Sequence, residues 1–158
     1  MRKSFRFLLP VLALLCVAGG KKEPPLTVRF YAEANRRDSD VFSSTIQLQY
    51  PPRQAYVQKI PTISERDILS IYPFQASDGT MGCAFKLDDH GRIAVDSLSV
   101  EKRGSSLVAI VNNRQVIDML IDKRVSDGII TIPRGLTAQE AALLETKFKT
   151  IGQRPPGQ

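Results

Sequence analysis

Cysteine is nearly absent from this chain of 158 residues. Of its two cysteines, Cys16 lies in an N-terminal apolar run and only Cys83 lies in the body. One body cysteine cannot close an internal disulfide, so the fold must be held by its apolar core alone, and roughly 130 residues suffice for that. Histidine occurs once, at His90. No apolar run is long enough to cross a bilayer: the longest, from Phe7 to Ala18, is interrupted by Pro10 and falls short of the roughly 18 residues a spanning helix needs. Heptad arrays, repeats and low-complexity tracts are missing. The serines at Ser105-Ser106 have no Gly-x-Ser-x-Gly frame, and the glycines around Gly128 and Gly135 have no phosphate-loop lysine.

The N-terminus reads as an export signal. Arg2, Lys3 and Arg6 precede the apolar run, and small residues follow up to Gly20. Residues 1–20 are therefore expected to be a signal peptide and 21–25 a linker, followed by one exported domain over 26–152 and a disordered tail over 153–158. Cys16 would be the lipidation site of a lipoprotein, but Leu15 stands where a lipobox places a small residue. The expected location is periplasmic or secreted, with membrane association only through the N-terminus. The formal net charge of +6 falls to +3 once residues 1–20 are set aside, which is too mild to indicate a nucleic-acid partner.

The region 106–152 carries the strongest local signals. Leu107–Val111 and Gln115–Ile121 flank Asn112-Asn113, a pair that tolerates positive φ, so they read as a β-hairpin. Asp127-Gly128 marks another turn, and Ile129–Ile132 a short strand. Thr137 and Glu140 have capping-box spacing. Ala141, Leu144, Phe148 and Ile151 then recur at helical spacing up to Gly152, a candidate C-terminal cap.

Upstream, Leu26–Glu33, Val41–Tyr50 and Ala55–Ile60 alternate as strands, and residues 26–60 are expected to form a β-meander. Ser64 and Asp67 have capping-box spacing before Ile68, Leu69, Ile71 and Tyr72, which predicts a short helix stopped by Pro73. Thr80–Leu87 reads as a strand with Met81, Cys83 and Phe85 on one side. A tight polar turn follows at Asp88–Gly91, then a helix over Arg92–Arg103. The fold class is α+β, a mainly antiparallel sheet with two or three packed helices.

In this order the segment from about Ile63 to Gly152 resembles the periplasmic head subdomain of the SecD and SecDF protein-export translocase subunits. Four stretches carry the resemblance: TISERDI (Thr62–Ile68), FKLDDHGR (Phe85–Arg92), GSSLVAIVNNRQVI (Gly104–Ile117) and GIITIPRGLTAQEAALL (Gly128–Leu144). The first looks like the family's opening helix motif. Asp118-Met119-Leu120 replaces a small-residue-Pro pair usual in the family, and no transmembrane array follows. The resemblance implies a fold and a role in contacting polypeptide or an envelope or export complex. It does not imply a translocase motor.

Several side chains are candidates for sites. His90 in Asp88-Asp89-His90-Gly91 could join a metal site, but its setting favours a solvated turn, so no metal and no cofactor are expected. Cys83 sits in an alternating apolar strand and reads as a core residue. Asp118 and Asp122 could share a sheet face as an acid–base pair, but a solvated polar face is the simpler reading. Where the second and third strands of the hairpin unit connect, Ile121, Lys123, Arg124 and Val125 mix charge with apolar bulk. They are the candidate contact for an extended peptide joining a sheet edge. The expected function is a non-enzymatic, protein-binding envelope or secretion module. The alternative is a small extracytoplasmic hydrolase or ligand-binding domain.

Overall fold

The computed structural model describes residues 26–35 and 41–152. The expected signal peptide, Cys16, linker and tail lie outside these residues.

The strand from Val28 to Ala32 (β1) buries Val28, Phe30 and Ala32 on one face, while the half-buried Arg29 and Tyr31 lie on the other, as a period of two requires. It does not open a meander. It pairs antiparallel with Ser106–Val111 (β6), which pairs in turn with Arg114–Leu120 (β7). Asn112 and Asn113 join β6 to β7 with φ of 48° and 63°, the left-handed pair that a two-residue hairpin turn needs. The strands Ser43–Gln49 (β2) and Pro52–Gln58 (β3) form a separate hairpin. It covers one face of the β1-β6-β7 sheet, packing Leu48, Ala55 and Val57 on Val108.

The other face of that sheet shares its core with a four-stranded sheet ordered β8-β5-β4-β9. Here β4 is Ile68–Gln75, β5 Met81–Leu87, β8 Ile129–Leu136 and β9 Lys149–Thr150. Phe30 of β1 meets Phe85 of β5 edge-on, with ring centroids 5.7 Å apart, which ties the sheets together. The helices Asp89–Glu101 (α1) and Ala138–Lys147 (α2) complete the core through Val95, Leu98 and Leu144. The architecture is α+β with mostly antiparallel pairing and two helices among the described residues.

Three local readings change. The helix expected after Ser64 is the strand β4. Its register slips between Ile68 and Ser70, so Leu69 is an extra residue: Ile68 lies opposite Leu87 and Ile71 opposite Phe85. The bulge turns both isoleucines inward at a spacing of three, which in sequence imitates a helical face. Pro73 does not break the strand. β4 pairs with β9 only at Ser70 and Ile71, so on that side Pro73 has no strand to donate to. The Ser64–Asp67 spacing closes a turn, with Asp67 accepting from the Ser64 amide and hydroxyl at 2.7 and 2.9 Å.

The second change is at Asp88–Gly91, which opens α1 instead of preceding it. Asp88 is the N-cap and accepts from the Gly91 amide at 2.8 Å. Gly91 is needed there because a Cβ would come within 3.0 Å of the Cβ atoms of Asp67 and Leu87. Third, α2 has the expected capping box at Thr137 and Glu140, but it stops at Lys147. Lys149 and Thr150 pair in parallel with β4, and the Ile151 amide bonds the Ile71 carbonyl at 2.7 Å. Gly152 therefore follows a strand and caps no helix.

Candidate functional site

Among the described residues, β7 and β8 are each the edge of a sheet, with a strand partner on one side only. They meet at one end. Gly135 of β8 has a φ of 94°, and a Cβ there would stand 3.2 Å from the Val116 carbonyl of β7, so glycine favours this approach. Arg114 of β7 reinforces it, reaching the Gly135 carbonyl at 2.9 Å and the Glu140 carboxylate at 2.5 and 3.1 Å. Glu140 also completes the α2 capping box with Thr137. Burial raises the Glu140 pKa, but the Arg114 and Thr137 hydrogen bonds outweigh it and hold the carboxyl below its ordinary range.

Towards Leu120 and Ile129 the two edges enclose a groove of about 520 Å³. Val95, Leu98 and Leu107 make its apolar base, and Met119, Ile121 and Ile130 its sides. The segment 121–127 forms one wall and is pinned to α1. Arg124 holds Asp96 with two hydrogen bonds of 2.5 and 2.8 Å, the Val125 amide donates to Ser99 Oγ at 3.0 Å, and Arg103 Nε donates to the Asp122 carbonyl. The Arg124 guanidinium keeps the Asp96 carboxyl below its usual range.

The four residues singled out in sequence all line this groove. Ile121 is buried, Val125 half-buried, and Lys123 and Arg124 exposed. They sit on a connecting segment, and the edges lie beside it in β7 and β8. A second depression of about 660 Å³ opens at the same seam, and Met119 lines both. It contains Tyr50, Phe74, Ile117, Pro133 and Arg134, with the Arg134 guanidinium 5.6 Å from the centre of the Tyr50 ring. Sequence reading missed this second hollow because it assembles residues from four distant segments.

Asp118 and Asp122 do not share a face. Asp118 is 5% exposed and accepts from the Gln49 and Tyr50 amides at 2.8 and 2.9 Å, whereas Asp122 is exposed on the groove wall. The expectation of a solvated Asp118 is thus overturned, because the β2–β3 turn folds over it. Ser105 and Ser106 also serve structure: Ser105 Oγ donates to the Lys102 carbonyl, and the Ser106 amide donates to Glu33. Arg53 binds the Glu33 carboxylate through two 2.7 Å hydrogen bonds and is the main reason its pKa falls.

His90 is not merely a solvated turn residue. It lies in the first turn of α1, and its Nδ1 is 2.8 Å from Asp67 Oδ1. Cys83 is fully buried on the inner face of β5, and burial pushes its thiol pKa up to about 12. Its thiolate fraction near pH 8 is then on the order of 10³-fold below that of a free thiol. Iodoacetamide at pH 8 is expected to leave Cys83 unmodified in the native protein and to label it in urea. Peptide-resolved mass spectrometry checks this, and rapid native labelling at Cys83 would refute it.

No helix among the described residues is long and apolar enough to cross a membrane. No protein-family model matches the chain. No curated protein matches it. Among solved structures, that of SecDF, described as a membrane component that enhances protein export, aligns with a TM-score of 0.53 at 13% identity, covering 82% of this chain and 68% of that one. SecDF in its super-membrane-facing form aligns with a TM-score of 0.52 at 12% identity over 79% of this chain, which spans only 19% of that one. The likeness is one of fold, and it agrees with the resemblance read from the sequence.

Proposed function

We propose that this chain is a non-enzymatic accessory domain that acts outside the cytoplasm beside a protein-export or envelope complex. It contacts an extended stretch of another polypeptide along the groove between β7 and β8. The observation that carries this reading is the pair of sheet edges diverging around an apolar base, with Ile121, Lys123, Arg124 and Val125 at the same place. An extended segment laid there would donate to and accept from an edge backbone while its alternate side chains reach the base. The fold likeness to SecDF supports the export setting. An N-terminal signal over residues 1–20, a linker over 21–25 and one domain over 26–152 fit the same role. Burial and the raised pKa of Cys83 disfavour a cysteine nucleophile.

In-cell photocrosslinking tests the reading. A photoreactive residue at Lys123 should yield a crosslink to an export component, an envelope protein or an exported polypeptide, identified by mass spectrometry. The same residue at Gln47, exposed on the β2–β3 hairpin, is the control. Equal yields from the two positions would overturn the assignment of the groove.

A further inference from the structure

We propose that Asp67, Asp88 and His90 form a binding site for a divalent first-row transition-metal cation, with Zn²⁺ as its representative. Each offers one ligand atom, and these atoms all lie within 4.8 Å of one another. The chain brings them together from two places: Asp67 from the segment before β4, Asp88 and His90 from the start of α1. The Asp88 amide donates to the Asp67 carbonyl at 2.9 Å, and the missing Cβ at Gly91 lets the two backbones close.

The carboxylates are oriented before any ligand arrives. Asp67 is buried, and its Oδ2 is engaged by the Ser64 amide and hydroxyl, which leaves Oδ1 towards the imidazole. Asp88 Oδ1 accepts from the Gly91 amide, and among the described residues Oδ2 has no such partner. Among the described residues neither carboxylate is paired with a lysine or arginine, so two negative groups converge on one histidine. A cation placed among them would be attracted by both carboxylates.

The spacing fits. Two donors bound at about 2.1 Å and separated by an angle of about 90–109° stand roughly 3.0–3.4 Å apart. A metal bound to both atoms would take the place of the proton in the 2.8 Å Nδ1–Oδ1 hydrogen bond, release it to solvent and widen the pair slightly. The donor set, two carboxylate oxygens and one imidazole nitrogen, suits a borderline cation better than Ca²⁺, which takes six to eight oxygens. The His90 side chain is 79% exposed, so water can fill the remaining positions. The positive end of α1 works against a cation, but Asp88 already caps it. The bound metal would clamp the start of α1, the helix whose Val95 and Leu98 form the groove base, to the segment leading into β4. This assignment does not depend on the groove's partner.

The test is isothermal titration of the full, tag-free chain with ZnCl₂ after dialysis against a chelator. One Zn²⁺ per chain is expected, with a Kd weakened at least about tenfold in both His90→Ala and Asp88→Asn. Asn keeps the helix cap and His90 is exposed, so both variants should retain the wild-type circular dichroism spectrum. Zn²⁺ should also raise the Tm of the wild type and not that of the variants. Absence of saturable binding up to about 1 mM would overturn the proposal. So would wild-type affinity retained in either variant, which would place the ion on other groups such as Cys16.

Discussion

Leu144→Asp is expected to abolish cooperative folding. Leu144 has no exposed surface and stands with Ala141 on the face of α2 that enters the main core. Truncating a buried leucine to alanine costs about 2–5 kcal/mol, and placing a carboxylate there adds the desolvation of an unpaired charge. Together these approach or exceed the 5–15 kcal/mol that domains of this size possess. Far-UV circular dichroism with urea titration reads the outcome. The neighbouring Leu143→Asp is the control, because Leu143 is 37% exposed and its change should stay within about 1 kcal/mol. A cooperative transition for Leu144→Asp near the wild-type midpoint would contradict this account of the core. Phe148→Asp looks equivalent from helical spacing alone. The structure makes it milder, because Phe148 is only partly buried and lies past the last turn of α2.

Asp118→Ala should lower stability by about 2–4 kcal/mol, a large effect for one surface-type residue. Asp118 connects β7 to the β2–β3 turn across nearly 70 residues by accepting from the amides of Gln49 and Tyr50. Both bonds end on a charged acceptor, which makes them stronger than neutral ones. Alanine would leave two amides without that acceptor under a partly buried turn. Asp118→Asn should recover about half of the loss, since one amide oxygen can still accept. Urea denaturation gives the magnitude, and hydrogen exchange at Gln49 and Tyr50 locates it. Unchanged exchange at both amides would show that the contact does not hold the turn.

The same residue shows where sequence reading stops. Asp118 stands at even spacing from Asp122, with Lys123 and Arg124 following, a pattern that reads as a polar face. Nothing local announces that another hairpin lies over it. The bulge in β4 is the same kind of case. Ile68 and Ile71 have helical spacing, and the extra residue that turns both inward is defined only against β5. The groove was half legible. Its wall could be picked out as a mixed apolar and charged connection, whereas the base from α1 and β6 and the second hollow around Tyr50 and Phe74 could not.

By itself the sequence determined the β6–β7 hairpin, the cap of α2, the core position of Cys83 and the α+β class. These rest on torsional preferences and on hydrogen bonds between residues three apart, such as Thr137 with Glu140, which act within a few residues. Tertiary structure alone decided that β1 pairs with β6, that α2 yields to β9 after Lys147, that Asp118 is buried, and that two sheet edges open into a groove. Strands with the same alternating pattern can pair in many ways at nearly equal local cost. The choice among them is made by burying their apolar faces in one shared core, and that energy exists only once distant segments meet.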